Sequence, residues 1–183
     1  PDGKFLISGD LFGRIHIWDI LNGKLSKTVK PFWKNHLINS IVFFNDGKKF
    51  VTGSADGLLH VWDFNARSIT TRLNPHSLKV NSLAIGPNDR YILSGSSDGT
   101  LIRWDIISNE SVILQKESSE IRAVALSSDG KIGLSGDSDS ILTLWDISTG
   151  NQIKKFQGFG KVNSVSFSPD NNYFASAHDN SSV

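Results

Sequence analysis

The stretch SADGLLHVWD, residues 54–63, decides the fold. It joins an Asp-Gly turn to a short apolar run that ends on Trp62-Asp63. The same dipeptide recurs at Trp18-Asp19, Trp104-Asp105 and Trp145-Asp146, so the four tryptophans are separated by 44, 42 and 41 residues. A bulky aromatic residue that returns at a nearly constant step indicates one structural unit repeated along the chain.

Strand and turn signals keep the same period. Apolar strand starts occur at Ile38, Val80, Ile121 and Val162, and a turn rich in Pro, Asn, Asp or Gly begins seven residues after each of them. The repeat is completed by a second strand, a second turn such as Asp98-Gly99, the Trp-Asp strand and a fourth strand. Four short antiparallel strands per repeat of roughly 41 residues predict an all-β protein. No helical periodicity runs through the chain.

These residues resemble WD repeats, the family that builds β-propellers from one four-stranded antiparallel sheet, or blade, per repeat. The resemblance covers the whole chain and implies three whole blades plus two partial ones. We therefore expect a single WD-repeat propeller region over residues 1–183. Its predicted units are 1–33 (partial), 34–73, 74–115, 116–156 and 157–183 (partial).

A blade buries its faces only against neighbouring blades, and propellers close with about four to eight of them. We expect the 183 residues to be part of a larger propeller, with the seven blades usual in the family. The alternative is a compact four-bladed ring in which the terminal strands complete the first blade.

The resemblance also implies a buried chain of hydrogen bonds that runs from an Asp through a His and a hydroxyl to the indole N–H, and the sequence supplies the full set twice. Such a chain gives each buried polar group a partner. In the third whole blade Glu117 takes the His position, in the last partial blade that position falls on Gly158 or Phe159, and in the first partial blade Phe12 takes the Asp position. We expect looser or apolar packing in those blades. The predicted members are His36, Thr52, Asp56 and Trp62; His76, Ser94, Asp98 and Trp104; and Ser135, Asp139 and Trp145.

Composition and motifs argue against catalysis. A serine buried under a tryptophan without a nucleophile elbow does not favour a hydrolase, and His16 and His60 without Cys or a close carboxylate make a weak metal site. The Gly-rich turns precede no helix, so they lack a phosphate cradle. We predict a protein that is not an enzyme and has no cofactor, no metal and no small-molecule substrate.

The net charge of the chain bears on which classes of partner it can bind. The chain carries 19 basic and 18 acidic residues, a net charge of +1, and has no cysteine. This balance does not favour nucleic-acid or membrane binding by electrostatics. No long apolar run or signal peptide is present, and we expect an intracellular, cytoplasmic protein.

Partner-binding candidates come from two sources. In WD repeats the partner surface often lies just before the turn Asp and at the start of each first strand. An additional Phe-Trp pair in the loop before the first whole unit is either an interface anchor or a cap folded back onto the blade. The candidates are Phe32 and Trp33 in that loop, and Ala55, Lys79, Asn81, Ser97, Glu120, Arg122, Ser138, Lys161, Asn163 and His178.

The sequence therefore predicts a non-catalytic scaffold that presents its loops to other proteins or peptides. The alternative is the sensor or targeting arm of a larger enzyme whose catalytic domain lies outside these residues, because fold does not settle function.

Overall fold

The computed structural model describes residues 2–30 and 37–180, and within them the regular structure is entirely β. The strands are short, as the turn spacing predicts. They are β1 Phe5–Gly9, β2 Ile15–Asp19, β3 Lys24–Val29, β4 Ile38–Phe43, β5 Lys49–Ser54, β6 Leu59–Asp63, β7 Ser68–Leu73, β8 Val80–Ile85, β9 Tyr91–Ser96, β10 Thr100–Asp105, β11 Glu110–Lys116, β12 Ile121–Leu126, β13 Ile132–Asp137, β14 Ile141–Asp146, β15 Gln152–Gln157, β16 Val162–Phe167 and β17 Phe174–His178.

Consecutive strands pair into antiparallel sheets without crossovers. Three sheets have four strands, in the orders β4-β5-β6-β7, β8-β9-β10-β11 and β12-β13-β14-β15. A three-stranded sheet, β1-β2-β3, precedes them and a two-stranded sheet, β16-β17, follows. This arrangement confirms the predicted fold class of three whole blades and two partial ones.

Turn residues set the strand limits. The hairpin between β5 and β6 closes on Gly57, which has φ of 83°, and the equivalent hairpin between β9 and β10 closes on Gly99, with φ of 77°. Positive φ at these positions costs glycine nothing, whereas a side chain would be strained. The Asp-Gly pairs of the sequence therefore mark the hairpins because they supply this backbone conformation.

Each complete Trp strand carries its tryptophan on one face of the sheet. Trp62 lies opposite Phe50 on β5 and Ile69 on β7, and the two rings of Phe50 and Trp62 are stacked 5.7 Å apart. A register shift separates Val61 from Trp62, which is the two-against-one pairing of a β-bulge. Similar shifts fall directly before Trp18 and Trp145.

The chain divides into two units, residues 1–80 and 81–183. In the first unit, Ile15, Phe50 and Trp62 form a buried apolar cluster. The second unit has two such clusters, one around Leu93, Ile121 and Trp145 and one around Ala123, Leu134 and Val162. Neither unit, over the described ranges, has a helix long and apolar enough to cross a membrane.

Candidate partner-binding surface

The indole N–H groups of two whole blades are satisfied by the hydroxyl groups predicted for them. Trp62 Nε1 donates to Thr52 Oγ1 and Trp145 Nε1 donates to Ser135 Oγ, each over 3.0 Å. Both tryptophans are buried. In the first sheet, Trp18 Nε1 donates to Ser8 Oγ over the same distance, but Trp18 is 36% exposed.

The second whole blade differs. The structure forms no bond between Trp104 and Ser94: the buried Trp104 Nε1 has no hydrogen-bond partner, and Ser94 Oγ donates to the Ile102 carbonyl over 3.4 Å. The register shift of this sheet falls between Leu101 and Ile102, several residues before the tryptophan rather than directly before it. The displaced bulge accompanies the missing bond.

Turn aspartates close the hairpins of the first two whole blades. Asp56 Oδ1 accepts from Ser54 Oγ over 2.5 Å and from Leu58 N over 3.1 Å. Asp98 Oδ1 accepts from the backbone and the hydroxyl of Thr100, over 2.9 and 2.5 Å. These carboxylates fix the chain reversal before each Trp strand. His76 is buried, and the predicted His36 lies outside the described residues.

In the third whole blade the buried carboxylate is Asp137, not the predicted Asp139, which is exposed. Asp137 accepts from Ser119 Oγ, from Asp139 N and from Ile141 N, over 3.2, 2.9 and 2.8 Å. From two residues earlier in the loop it reaches the amide that opens the Trp strand. Burial raises the pKa of Asp137 above its ordinary value, against these hydrogen bonds.

The first partial blade has a polar network where looser or apolar packing was predicted. Asp10 accepts from Arg14 Nε over 2.6 Å and contacts His16 Nε2 at 3.2 Å, while His16 Nδ1 lies 3.0 Å from Thr28 Oγ1. Burial alone would raise the pKa of Asp10, but the hydrogen bonds from Arg14, His16 and Phe12 N outweigh it, and the pKa lies well below its ordinary range.

Asp10 and Asp137 hold the same place in the repeat. Each follows a Ser-Gly pair and ends or directly follows the strand that precedes the Trp strand of its sheet. The tripeptide SGD recurs at residues 8–10 and 135–137, and this repeat was the sequence signal that could have identified both carboxylates.

His178, one of the predicted partner contacts, is buried, with 8% of its surface exposed. Its Nδ1 donates to the Gly160 carbonyl over 2.8 Å, which leaves Nε2 to accept from Ser176 Oγ over 2.9 Å. The position equivalent to Ser138 belongs instead to Asp179, because Ser138 N bonds Glu120 O just as Asp179 N bonds Lys161 O.

The other surface candidates differ in exposure. Ala55 and Lys79 are exposed in the first unit, and Lys161 and Asn163 are exposed in the second. Phe32 and Trp33 lie outside the described residues. The half-buried candidates, all in the second unit, are Asn81, Ser97, Glu120, Arg122 and Ser138.

Asn81 and Arg122 join consecutive sheets. Asn81 Nδ2 donates to the Ile121 carbonyl over 2.8 Å, and Arg122 Nε donates to the Val162 carbonyl over 3.0 Å. In the first unit Asn39 Nδ2 makes the same bond to Val80 O, over 2.9 Å. The second residue of each of these first strands thus donates to the start of the next first strand. Two predicted partner-binding residues therefore have a structural role.

Arg122 also has the geometry of a binding group. Beyond its bond to Val162 O, its Nη2 donates to Asn163 Oδ1 over 2.7 Å, and its Nη1 lies 4.0 Å from Glu120 Oε2. The side chain is 34% exposed. These contacts fix the plane of a guanidinium that still has N–H groups to offer, and a fixed guanidinium suits a carboxylate or carbonyl acceptor.

No group of three or more His, Cys, Asp or Glu side chains that could hold a metal ion occurs among residues 2–30 and 37–180. Asp10 lies beside His16, but these two side chains are fewer than the three or four protein ligands of a typical zinc site.

Comparison with known proteins settles the family. The model of the WD domain, G-beta repeat, matches residues 24–63, 67–105, 110–146 and 150–183. These matches cover most of the chain, so the chain belongs to the WD-repeat family, whose repeats generally mediate protein–protein interactions. The first three matches each end on the Asp of a Trp-Asp pair, at Asp63, Asp105 and Asp146. No curated protein matches the chain.

Proposed function

We propose that the chain is a non-catalytic, intracellular scaffold that binds other proteins or peptides, as one part of a larger propeller. In the second unit its binding surface is formed by the residues at the Asp-turn end of the sheets. This Arg122 surface comprises Ser97, Glu120, Arg122, Ser138, Lys161 and Asn163.

The orientation of the Arg122 guanidinium carries the proposal. Its bonds to Val162 O and Asn163 Oδ1 hold it in one position before a partner arrives. Less side-chain entropy is then lost on binding than for a freely rotating cation. Lys161, exposed directly before β16, adds a second positive charge.

The partner chemistry follows from these groups. A fixed guanidinium and a nearby ammonium favour an acidic side chain, and the small polar side chains of Ser97 and Ser138 leave room for a main chain to approach. We therefore propose that the partner presents an acidic peptide or loop to this surface, in a polar interface with water in its rim.

The test compares variants at the two ends of one sheet. Arg122→Ala removes the anchor, Arg122→Lys keeps the charge without the planar fork, and Lys131→Ala removes an exposed cation at the opposite end as the matched control. Quantitative proximity labelling in cells should show partners that Arg122→Ala loses and that Lys131→Ala retains. Arg122→Lys should retain them in part.

Thermal unfolding of each variant separates loss of binding from loss of structure. A partner set unchanged in a folded Arg122→Ala protein would contradict the Arg122 surface. Failure of the native protein to enrich any partner would contradict the scaffold function itself.

A further inference from the structure

The hairpin between β2 and β3 presents an asparagine followed by a glycine at its tip. Asn22 and Gly23 are both exposed, and the preceding Leu21 is 84% exposed. Gly23 has φ of 61°, and a β-carbon built on it would meet nothing within 4 Å. Gly23 is therefore an exposed residue with open space where a side chain would stand, and it has no β-carbon of its own beside its backbone nitrogen.

The equivalent hairpins lack this combination. Their tips are Ala66-Arg67, Ser108-Asn109 and Thr149-Gly150, and the second residue has positive φ in each of them, as Gly23 does. Among these four Trp-strand hairpins, the β2–β3 hairpin has a side-chain amide directly before a glycine. The repeat thus supplies its own internal controls.

We propose that Asn22 is a site of spontaneous conversion to aspartate and isoaspartate. The deprotonated Gly23 nitrogen attacks the Asn22 side-chain carbonyl carbon, a nitrogen–carbon bond forms, and ammonia leaves with the side-chain nitrogen. Water then opens the cyclic imide. Cleavage at the side-chain carbonyl leaves aspartate, and cleavage at the main-chain carbonyl leaves isoaspartate. The step needs only water and hydroxide.

The conversion changes the hydrogen bonding between Asn22 and Asp19 within the hairpin. Asn22 N donates to Asp19 Oδ1 over 3.0 Å, and Asn22 Nδ2 donates to Asp19 Oδ2 over 2.8 Å. These bonds, the backbone one first, hold the pKa of Asp19 below its ordinary value. A carboxylate at position 22 replaces a donor by a like charge beside Asp19, so attraction becomes repulsion.

Isoaspartate has a second effect, because it moves the side-chain methylene into the main chain. The hairpin is closed by pairing of Asp19 with Lys24 and of Trp18 with Leu25. A longer main chain between Asp19 and Lys24 no longer fits this register. The structure thus assigns to Asn22 an ageing reaction that loosens the β2–β3 pairing next to the Trp-Asp dipeptide.

The test follows the intact protein during incubation at mildly alkaline pH. Peptide mapping by mass spectrometry locates the exchange of amide for carboxyl, and labelling by a protein-isoaspartate methyltransferase counts the isoaspartate. Asn22 should convert before the other asparagines of the described residues. Gly23→Arg keeps the positive φ that Arg67 tolerates in its own hairpin, and it should slow the conversion by about tenfold because a β-carbon shields the nitrogen.

Hydrogen exchange of the Ile17 and Leu25 amides reports the consequence. Aged native protein should exchange faster at these amides than fresh protein, and aged Gly23→Arg protein should not. Asn22→Asp, which adds the charge without the extra methylene, should show an intermediate effect. An Asn22 that stays intact in the folded protein would overturn the site. Full conversion with unchanged exchange at Ile17 and Leu25 would overturn its effect on the hairpin.

Discussion

Gly95 lies so close to Ile121 that a β-carbon built on the glycine would come within 2.5 Å of an Ile121 methyl carbon. Gly9 has the same relationship to Ile38, at 2.6 Å, and Gly136 lies equally close to Val162. Each glycine follows a serine on the strand before the Trp strand and faces the residue that opens the first strand of the next sheet. Close contact between successive sheets therefore requires glycine at this position.

Gly95→Ala should destabilise the second unit by about 1–3 kcal/mol, because a methyl group forced into a filled space displaces side chains or backbone. The measurement is urea-induced unfolding followed by tryptophan fluorescence. Gly86→Ala is the matched control, since its nearest neighbour would lie at 3.6 Å, an ordinary contact. Equal stability losses in the two variants would refute this account of Gly95.

Removal of Ser135 Oγ should cost more than removal of Ser8 Oγ, although both accept an indole N–H over 3.0 Å. Ser135→Ala leaves the N–H of buried Trp145 without a partner, at a cost of about 1–3 kcal/mol. Ser8→Ala leaves Trp18 exposed enough to bond water, so its effect should stay within about 0.5 kcal/mol. Chemical denaturation of both variants makes the comparison, and a reversed order would contradict it.

The Asp10 carboxylate should stabilise the fold at pH values above its ordinary pKa, and this stabilisation should be lost in acid. Because its pKa is lowered in the folded state, the charged form is favoured on folding, and the contribution disappears as pH falls through the acid range. Native protein should therefore lose stability relative to Asp10→Asn between about pH 5 and about pH 2. Thermal midpoints across this range provide the measurement.

The contribution of Asp137 to stability should change with pH in the opposite direction. Its pKa is raised on folding, so its contribution is fully present below the ordinary value of 3.8 and is lost as pH rises through the raised pKa. Native protein should lose stability relative to Asp137→Asn as the pH rises above the ordinary pKa of 3.8. The prediction is wrong if the stability difference between native protein and variant changes with pH in the same direction for Asp10→Asn and for Asp137→Asn.

Arg122 and Asn163 should be energetically coupled. Their contact is a charge-assisted hydrogen bond of 2.7 Å between partly exposed groups, and a double-mutant cycle with Arg122→Ala and Asn163→Ala should give about 0.5–1 kcal/mol. The same cycle with Lys131→Ala in place of Arg122→Ala should give no coupling. Independent effects of the first pair would mean that Asn163 does not orient the guanidinium.

The sequence predicted the architecture well because the determinants of each sheet are local. An Asp-Gly pair produces the hairpin wherever it occurs, and period-2 alternation places Trp62 and Trp145 on buried faces. The same reasoning paired Thr52 with Trp62 and Ser135 with Trp145, and these bonds are present in the structure. It also paired Ser94 with Trp104, a bond that the structure does not form; the bulge of β10 lies earlier in this sheet than in the others, and no residue of the strand predicts that difference.

The carboxylates and the surface were harder to predict from sequence. Asp137 and Asp139 lie two residues apart in one loop, and only the path of the backbone decides which of them turns inward. The position equivalent to Ser138 was assigned one residue too early, to His178, since the following residue, Asp179, occupies the place of Ser138. Asn81 and Arg122 look like free polar groups in the sequence because their acceptors, Ile121 O and Val162 O, lie about 40 residues ahead.

The bonds from Asn81 to Ile121 O and from Arg122 to Val162 O have a mechanical consequence. A force applied to the Arg122 side chain is carried to the strand that begins at Val162 by the bond from Arg122 Nε to Val162 O. Shear between these two sheets must therefore break a side-chain bond to the main chain as well as the apolar contacts around Val162.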